Sequence, residues 1–130
     1  MNSSFKDKAP KDLKIVNFGD YLYHYAHVIS NTFFGKMPAS IAYCKNTEHV
    51  QYCVNYCRDN DVKFRASSGG HQHEGMCSAD NVMIIDLSEM NKLPKFDEHP
   101  ETLWILAEKE LGHVYTELTT KGETIPVCDC

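Results

Sequence analysis

From Pro38 to Ala66 the apolar pattern changes period twice, and that alternation restricts the fold more than any other stretch. Pro38-Ala39-Ser40-Ile41-Ala42-Tyr43-Cys44 reads as a turn into a short strand. Asn46-Thr47 offers a helix N-cap, with Glu48 in the first turn where a carboxylate meets the positive end of the helix dipole. Val50, Cys53, Val54 and Cys57 recur at i, i+3, i+4 and i+7, an apolar stripe on one helix face. Asp59-Asn60-Asp61 closes that helix, and Val62 to Ala66 alternates as a second strand. Strand, helix, strand in this order predicts parallel strands joined by a right-handed crossover. The fold class expected is α+β with an α/β-like βαβ start.

The second strand runs straight into Arg65-Ala66-Ser67-Ser68-Gly69-Gly70-His71-Gln72-His73-Glu74-Gly75. Ser68-Gly69-Gly70 has almost no side-chain bulk, so its backbone N–H groups can surround an anion such as a pyrophosphate. His71 then sits beside that anion, within reach of the rest of a bound cofactor. Crevices at the C-terminal ends of strands are the favoured cofactor positions in open α/β sheets. Downstream, Asn81 to Leu87 is a near-continuous apolar run that reads as a buried strand, and Ser88 to Lys92 as a turn. Thr102 to Ala107 reads as another strand. Leu111, Val114, Tyr115 and Leu118 mark a second amphipathic helix, with Lys121 and Gly122 as its C-terminal signal. Upstream, residues 1–12 form a polar, Lys-rich tail and residues 13–130 one domain. Leu22, Tyr25, Ala26 and Ile29 have the spacing of a short amphipathic helix. His24 and His27 on it could share a metal, although partly buried or surface histidines of an aromatic segment are the simpler reading.

Charge and composition narrow the partners. A net charge of −5 gives no electrostatic footprint for DNA or RNA. No apolar run approaches the roughly 20 residues needed to span a bilayer, so no membrane association is expected. Met1-Asn2-Ser3-Ser4-Phe5-Lys6-Asp7-Lys8 lacks the apolar core of a secretory signal, which favours a cytoplasmic location. The 42% hydrophobic content is enough for a core without disulfides, so the six cysteines are expected to be mostly free thiols. Cys53 and Cys57 are read as small buried hydrophobes rather than a metal or redox pair.

Taken in order, these pieces resemble a known family. Pro-x-x-Ile-x-x-Cys, a helix, then Phe64-Arg65-x-x-Ser68-Gly69-Gly70-His71-Gln72-His73-Glu74-Gly75-Met76-Cys77-Ser78 is similar to FAD-linked oxidases of the berberine bridge enzyme and glucooligosaccharide oxidase type. Asn81 to Asn91, Leu111-Gly112-His113-Val114-Tyr115 and Gly122 to Pro126 resemble the family's next strand, helix and turn. The resemblance covers residues 37–130 and implies the N-terminal part of a two-lobed, PCMH-type FAD-binding domain of the vanillyl-alcohol-oxidase class. It implies FAD as cofactor, with Arg65, Ser67, Ser68, Gly69, Gly70, His71, Gln72 and Gly75 around the pyrophosphate. It implies covalent attachment of the flavin 8α-methyl to His71, and in bicovalent members a second bond from flavin C6 to a cysteine. That cysteine matches Cys130, with its neighbour Cys128 left open. The activity implied is oxidation of a small organic substrate with electrons passed to O₂; relatives serve oligosaccharides, alcohols and alkaloid-like amines. The family's catalytic base, a Tyr or an acid, belongs to segments absent from these 130 residues, so this chain is not expected to be competent alone.

Three positions depart from the family. Ser67 stands where an Arg is common, Glu108 where a Gly is usual, and Val127-Cys128-Asp129 where a Gly-rich turn would approach the flavin. A flavin-free remnant of the fold, self-associating through an exposed apolar sheet face, is therefore the second reading. A zinc or redox module using His71, His73, Cys77 and the terminal cysteine pair is the third.

Overall fold

The computed structural model describes residues 5, 8–28, 33, 35–90, 95–96, 103–105 and 110–126. In chain order its elements are β1 (Lys14–Asn17), α1 (Tyr23–Ala26), β2 (Ser40–Tyr43), α2 (Thr47–Asp59), β3 (Phe64–Ser67), β4 (Met83–Asp86), β5 (Lys95–Phe96), β6 (Leu103–Trp104) and α3 (Leu111–Thr119). β1, β2, β4 and β3 form one sheet in that spatial order, and β5 with β6 form a separate antiparallel pair.

The expected strand–helix–strand unit is present. β2 and β3 both run parallel to β4, and α2 links them. β4 lies between the two strands that the crossover joins, and β1 adds an antiparallel edge to β2. β1 is additional to the sequence reading: Leu13 and Val16 are buried, but four residues carry too short a pattern to mark it.

α2 forms for the reasons its sequence supplies. The Asn46 side chain accepts a hydrogen bond from the His49 N–H at 2.9 Å, satisfying one of the unpaired amides of the first turn. The helix ends where Asp61 takes a left-handed φ of +52°, which lets the Val62 N–H reach back to the Cys57 carbonyl at 2.8 Å. Cys53 and Cys57 are buried as expected, but the third buried residue is His49, one turn before Cys53. His49 is 1% exposed. Its Nδ1 accepts the Lys45 amide, so Nε2 carries the proton and donates to Asp12 Oδ1 at 3.1 Å. This pair fastens the helix start to the chain before β1.

The register divides the sheet into two faces. Ala42, Met83 and Ile85 share one face and pack with Cys44, Cys53 and Cys57 under α2. Phe5, 1% exposed, joins this cluster, its ring stacked on Tyr52 and its carbonyl accepting the Tyr52 hydroxyl at 2.7 Å. The polar N-terminal run thus carries an apolar anchor. Ile41, Ile84 and Val82 form the core of the opposite face. Full burial of each of these aliphatic side chains contributes about 1.5–3 kcal/mol, which explains why β4, buried on both faces, reads as an unbroken apolar run.

The segment after β1 departs from its expected stripe. α1 is a single turn, and its buried residue is Tyr23, whose hydroxyl donates to the Pro38 carbonyl at 2.6 Å. Leu22 and Tyr25 are exposed, and Ile29 lies outside the described residues. One turn held by one buried phenol does not build the apolar face that the i, i+3, i+4 spacing suggested. α3 follows its pattern in part, burying Val114 and Leu118, while Tyr115 is half-buried and Leu111 exposed. Gly122 at φ +72° closes it, with the Gly122 and Glu123 N–H groups bonded to the Thr119 and Leu118 carbonyls.

Candidate functional site

A cleft of about 80 Å³ opens on the sheet face away from α2, at the C-terminal end of β3 and β4. Its floor is Ile41 and Ile84, and one wall is the loop Ser67-Ser68-Gly69-Gly70. Ala26, His27 and Val28, at the end of α1, line it from the other side, with Cys77, Ser78 and Asp86 completing it.

The strand register explains how these groups meet. Ser67 pairs with Asp86 and Arg65 with Ile84, so Ser67 and Arg65 lie on the cleft side of β3. Ser67, Ser68 and Gly70 are half-buried, while Arg65, Gly69 and His71 are exposed. Gly70 has φ +71°, a conformation costing an L-residue about 1–2 kcal/mol, so glycine is required there. At Gly69 the reason is space: an added Cβ would lie 2.9 Å from His71 Cδ2. The His71 ring is therefore folded back over the Gly69 backbone, at the rim of the cleft.

Gln72 and Gly75 shape the loop without lining the cleft. The Gln72 side chain accepts the Met76 N–H at 2.7 Å, its carbonyl accepts the Gly75 N–H at 3.2 Å, and Gly75 turns at φ +68°. Asp80 ties the far end of the connection to the segment before β2, accepting the Met37 N–H at 2.8 Å and pairing with Lys36 at 3.6 Å. Cys128 and Cys130 lie outside the described residues, as does Glu108.

Charge in the cleft is sparse. Asp86 is the one carboxylate among its described lining residues, and Oδ1 is engaged by the N–H of Ser88 at 2.9 Å and by the Ser88 hydroxyl. Beside Asp86 on the same face, burial pushes the Tyr43 phenol up, helped by the Asp86 and Glu89 carboxylates. The described lining carries the hydroxyls of Ser67, Ser68 and Ser78, backbone amides and the His27 ring. One of them, the Ser78 hydroxyl, is buried and has no hydrogen-bond partner among the described residues. Sequence reasoning missed it, because a serine after Met76-Cys77 carries no signal of its own.

Such a site fits an anionic group flanked by a larger body: small residues admit close approach of backbone, and unpaired donor capacity awaits an oxygen acceptor. His73 is exposed and Cys77 buried in the cleft wall. Among the described residues no three His, Cys, Asp or Glu side chains converge as a metal site would require. Cys44, Cys53, Cys57 and Cys77 are buried free thiols. No described helix is long and apolar enough to cross a membrane.

Comparison with known proteins points the same way. The family model described as "FAD binding domain" matches residues 38–128. An uncharacterized FAD-linked oxidoreductase, YgaK, of Bacillus subtilis (strain 168) is 33% identical over 113 residues, covering 87% of this chain and 25% of that protein. Berberine bridge enzyme-like 3 of Arabidopsis thaliana is 29% identical over 115 residues, 84% of this chain and 21% of the relative. Among solved structures, Physcomitrella patens BBE-like 1 superposes with a TM-score of 0.81 at 23% identity, over 92% of this chain and 26% of that one. 6-Hydroxy-D-nicotine oxidase from Arthrobacter nicotinovorans gives 0.72 at 22% identity, over 85% and 24%. The chain spans about a quarter of the length of these proteins.

Proposed function

This chain belongs to the FAD binding domain family of the FAD-linked oxidoreductases, and on that premise we propose that its 65–75 loop holds the FAD pyrophosphate and that His71 is the flavin attachment point. The observation that carries this is the position of the glycine pair: it forms one wall of the cleft at the C-terminal end of β3, with the His71 ring folded over Gly69. Residues 13–130 then form the N-terminal segment of a two-lobed PCMH-type domain.

The chain's own residues do three things. The Ser68-Gly69-Gly70 backbone approaches the phosphates closely, since no Cβ intervenes at either glycine. Arg65 supplies the nearby cation; it lies two residues, about 7 Å, before Ser67 on the same face of β3, a distance its side chain can bridge. His71 would hold the flavin covalently, through its imidazole and the 8α-methyl carbon. Cys130, or alternatively Cys128, would be the second residue to hold it, at flavin C6. When bound, FAD supplies hydride acceptance and the reduction of O₂, while the protein orients and tunes it. The full-length protein is an oxidase of a small organic molecule.

The test is flavin retention. Full-length protein should be yellow and should keep its flavin through acid or SDS denaturation. His71→Ala should remove one linkage and Cys130→Ala the other. Protein that folds but takes up no FAD refutes the proposal; flavin released by SDS from the wild type refutes covalent attachment alone.

A second reading is favoured by one observation: among the described residues the cleft lining carries the Asp86 carboxylate and no Lys or Arg. On that reading the chain keeps the fold without the cofactor, and the full-length protein neither binds FAD nor shows flavin absorbance.

A further inference from the structure

Ser78 combines three properties that no other described residue shares. It is 6% exposed, it lines the cleft, and its Oγ has no hydrogen-bond partner among the described residues. Its backbone N–H donates to the Gly75 carbonyl at 3.2 Å. A hydroxyl offers one donor and two acceptor positions, and burying it with all three unused is costly, so buried hydroxyls are as a rule paired. The buried Tyr23 hydroxyl is, donating to the Pro38 carbonyl.

Asp86, the one carboxylate among the described lining residues, already accepts twice from Ser88. The described lining also includes Ser67, Ser68, Gly69, Gly70 and the His27 ring, with no Lys or Arg. A ligand completing Ser78 in these surroundings brings an oxygen acceptor, and an ionised acceptor gives the stronger bond.

We propose that the Ser78 hydroxyl donates a hydrogen bond to a pyrophosphate oxygen of FAD, and that it is left unpaired in the free protein for that purpose. This rests on the FAD reading above and adds to it a side chain from the 71–82 connection, separate from the glycine loop. Ser40 is the internal control. Its Oγ is also unpaired and 0% exposed, but it lies on the α2 side of the sheet and outside the cleft.

The experiment uses full-length protein in a His71→Ala/Cys130→Ala background, so that flavin exchanges freely. Dissociation constants for FAD, ADP and riboflavin, and thermal unfolding without ligand, are measured with Ser78, Ser78→Ala and Ser40→Ala. Ser78→Ala should weaken FAD and ADP about 10-fold and leave riboflavin unchanged. Without ligand its melting temperature should be unchanged or higher, because an unpaired buried hydroxyl has been removed. Ser40→Ala should bind all three ligands as the background does. Equal FAD and ADP affinities with and without the hydroxyl would overturn the proposal. So would a riboflavin loss matching the FAD loss, or a lowered melting temperature, which marks a structural hydroxyl. A background protein that binds none of the three refutes the FAD reading itself.

Discussion

Replacing Gly69 by alanine separates positioning of His71 from stability of the loop. The new Cβ would meet His71 Cδ2 at 2.9 Å, against about 3.5–4.0 Å for an ordinary carbon–carbon contact, so the ring must move by at least about 0.6 Å. The backbone need not move, because Gly69 does not have a positive φ. The atom in the way belongs to an exposed side chain, and an off-rotamer torsion there costs about 0.5–1.5 kcal/mol. Against that, Ala restricts the unfolded chain and returns about 0.4–1 kcal/mol. The two nearly cancel, so the denaturation midpoint should stay close to wild type. Covalent attachment should not. A reacting group displaced by about 1 Å loses on the order of 100-fold in rate. The assay is a time course of flavin-free protein mixed with FAD, read as flavin fluorescence that survives SDS electrophoresis, with denaturant unfolding in parallel. A wild-type attachment rate in Gly69→Ala would refute the link between this contact and the chemistry. Gly70→Ala is the contrast: at φ +71° its strain of about 1–2 kcal/mol should appear in the unfolding curve.

Two further outcomes concern the scaffold. Asn46→Ala removes the side-chain acceptor of the His49 N–H and should cost about 1 kcal/mol in chemical denaturation, with FAD affinity little changed. Burial pushes the Cys57 thiol up from 9.0 to about 11. The unfolded chain therefore releases this proton at lower pH than the folded one. The stability it contributes is fully present below pH 9.0 and declines as pH rises through about 11. Denaturant midpoints measured across that window should fall, and should fall less steeply in Cys57→Ala; equal slopes would refute the assignment.

What the sequence disclosed follows from how far each signal reaches along the chain. α2 could be placed because Asn46 caps it, Cys53 and Cys57 repeat with the helical period, and thirteen residues give that period room. β4 could be placed because both its faces are buried, which leaves an unbroken apolar run. The glycine loop and His71 stood out because backbone approach demands glycine. α1 misled because a four-residue turn is too short to have a face, and the hydroxyl of Tyr23 reaching Pro38 decided which ring went inside. His49 was overlooked as core because a histidine reads as polar; its spacing of four from Cys53 was the available clue. The insertion of β4 between β2 and β3 was not legible, since periodicity identifies strands but not their neighbours. Nor was Ser78, whose importance lies in lacking a partner, and no spacing encodes that.

The strand order has a consequence for how this chain reaches its native state. β2 and β3 are linked by the short α2 crossover, yet neither pairs with the other; each pairs with β4, which follows later in the chain. The sheet therefore cannot close when β3 emerges from the ribosome. It waits until β4 has been made and has entered between two strands that are already close together. A premature β2–β3 ladder would be a kinetic trap, and escape from it requires local unfolding. The segment that must carry β4 into place is residues 68–82, the same connection that contains Gly69, Gly70, His71 and Ser78. The cofactor loop is thus also the tether whose closure completes the core, so substitutions in it can slow folding while leaving the finished sheet unchanged.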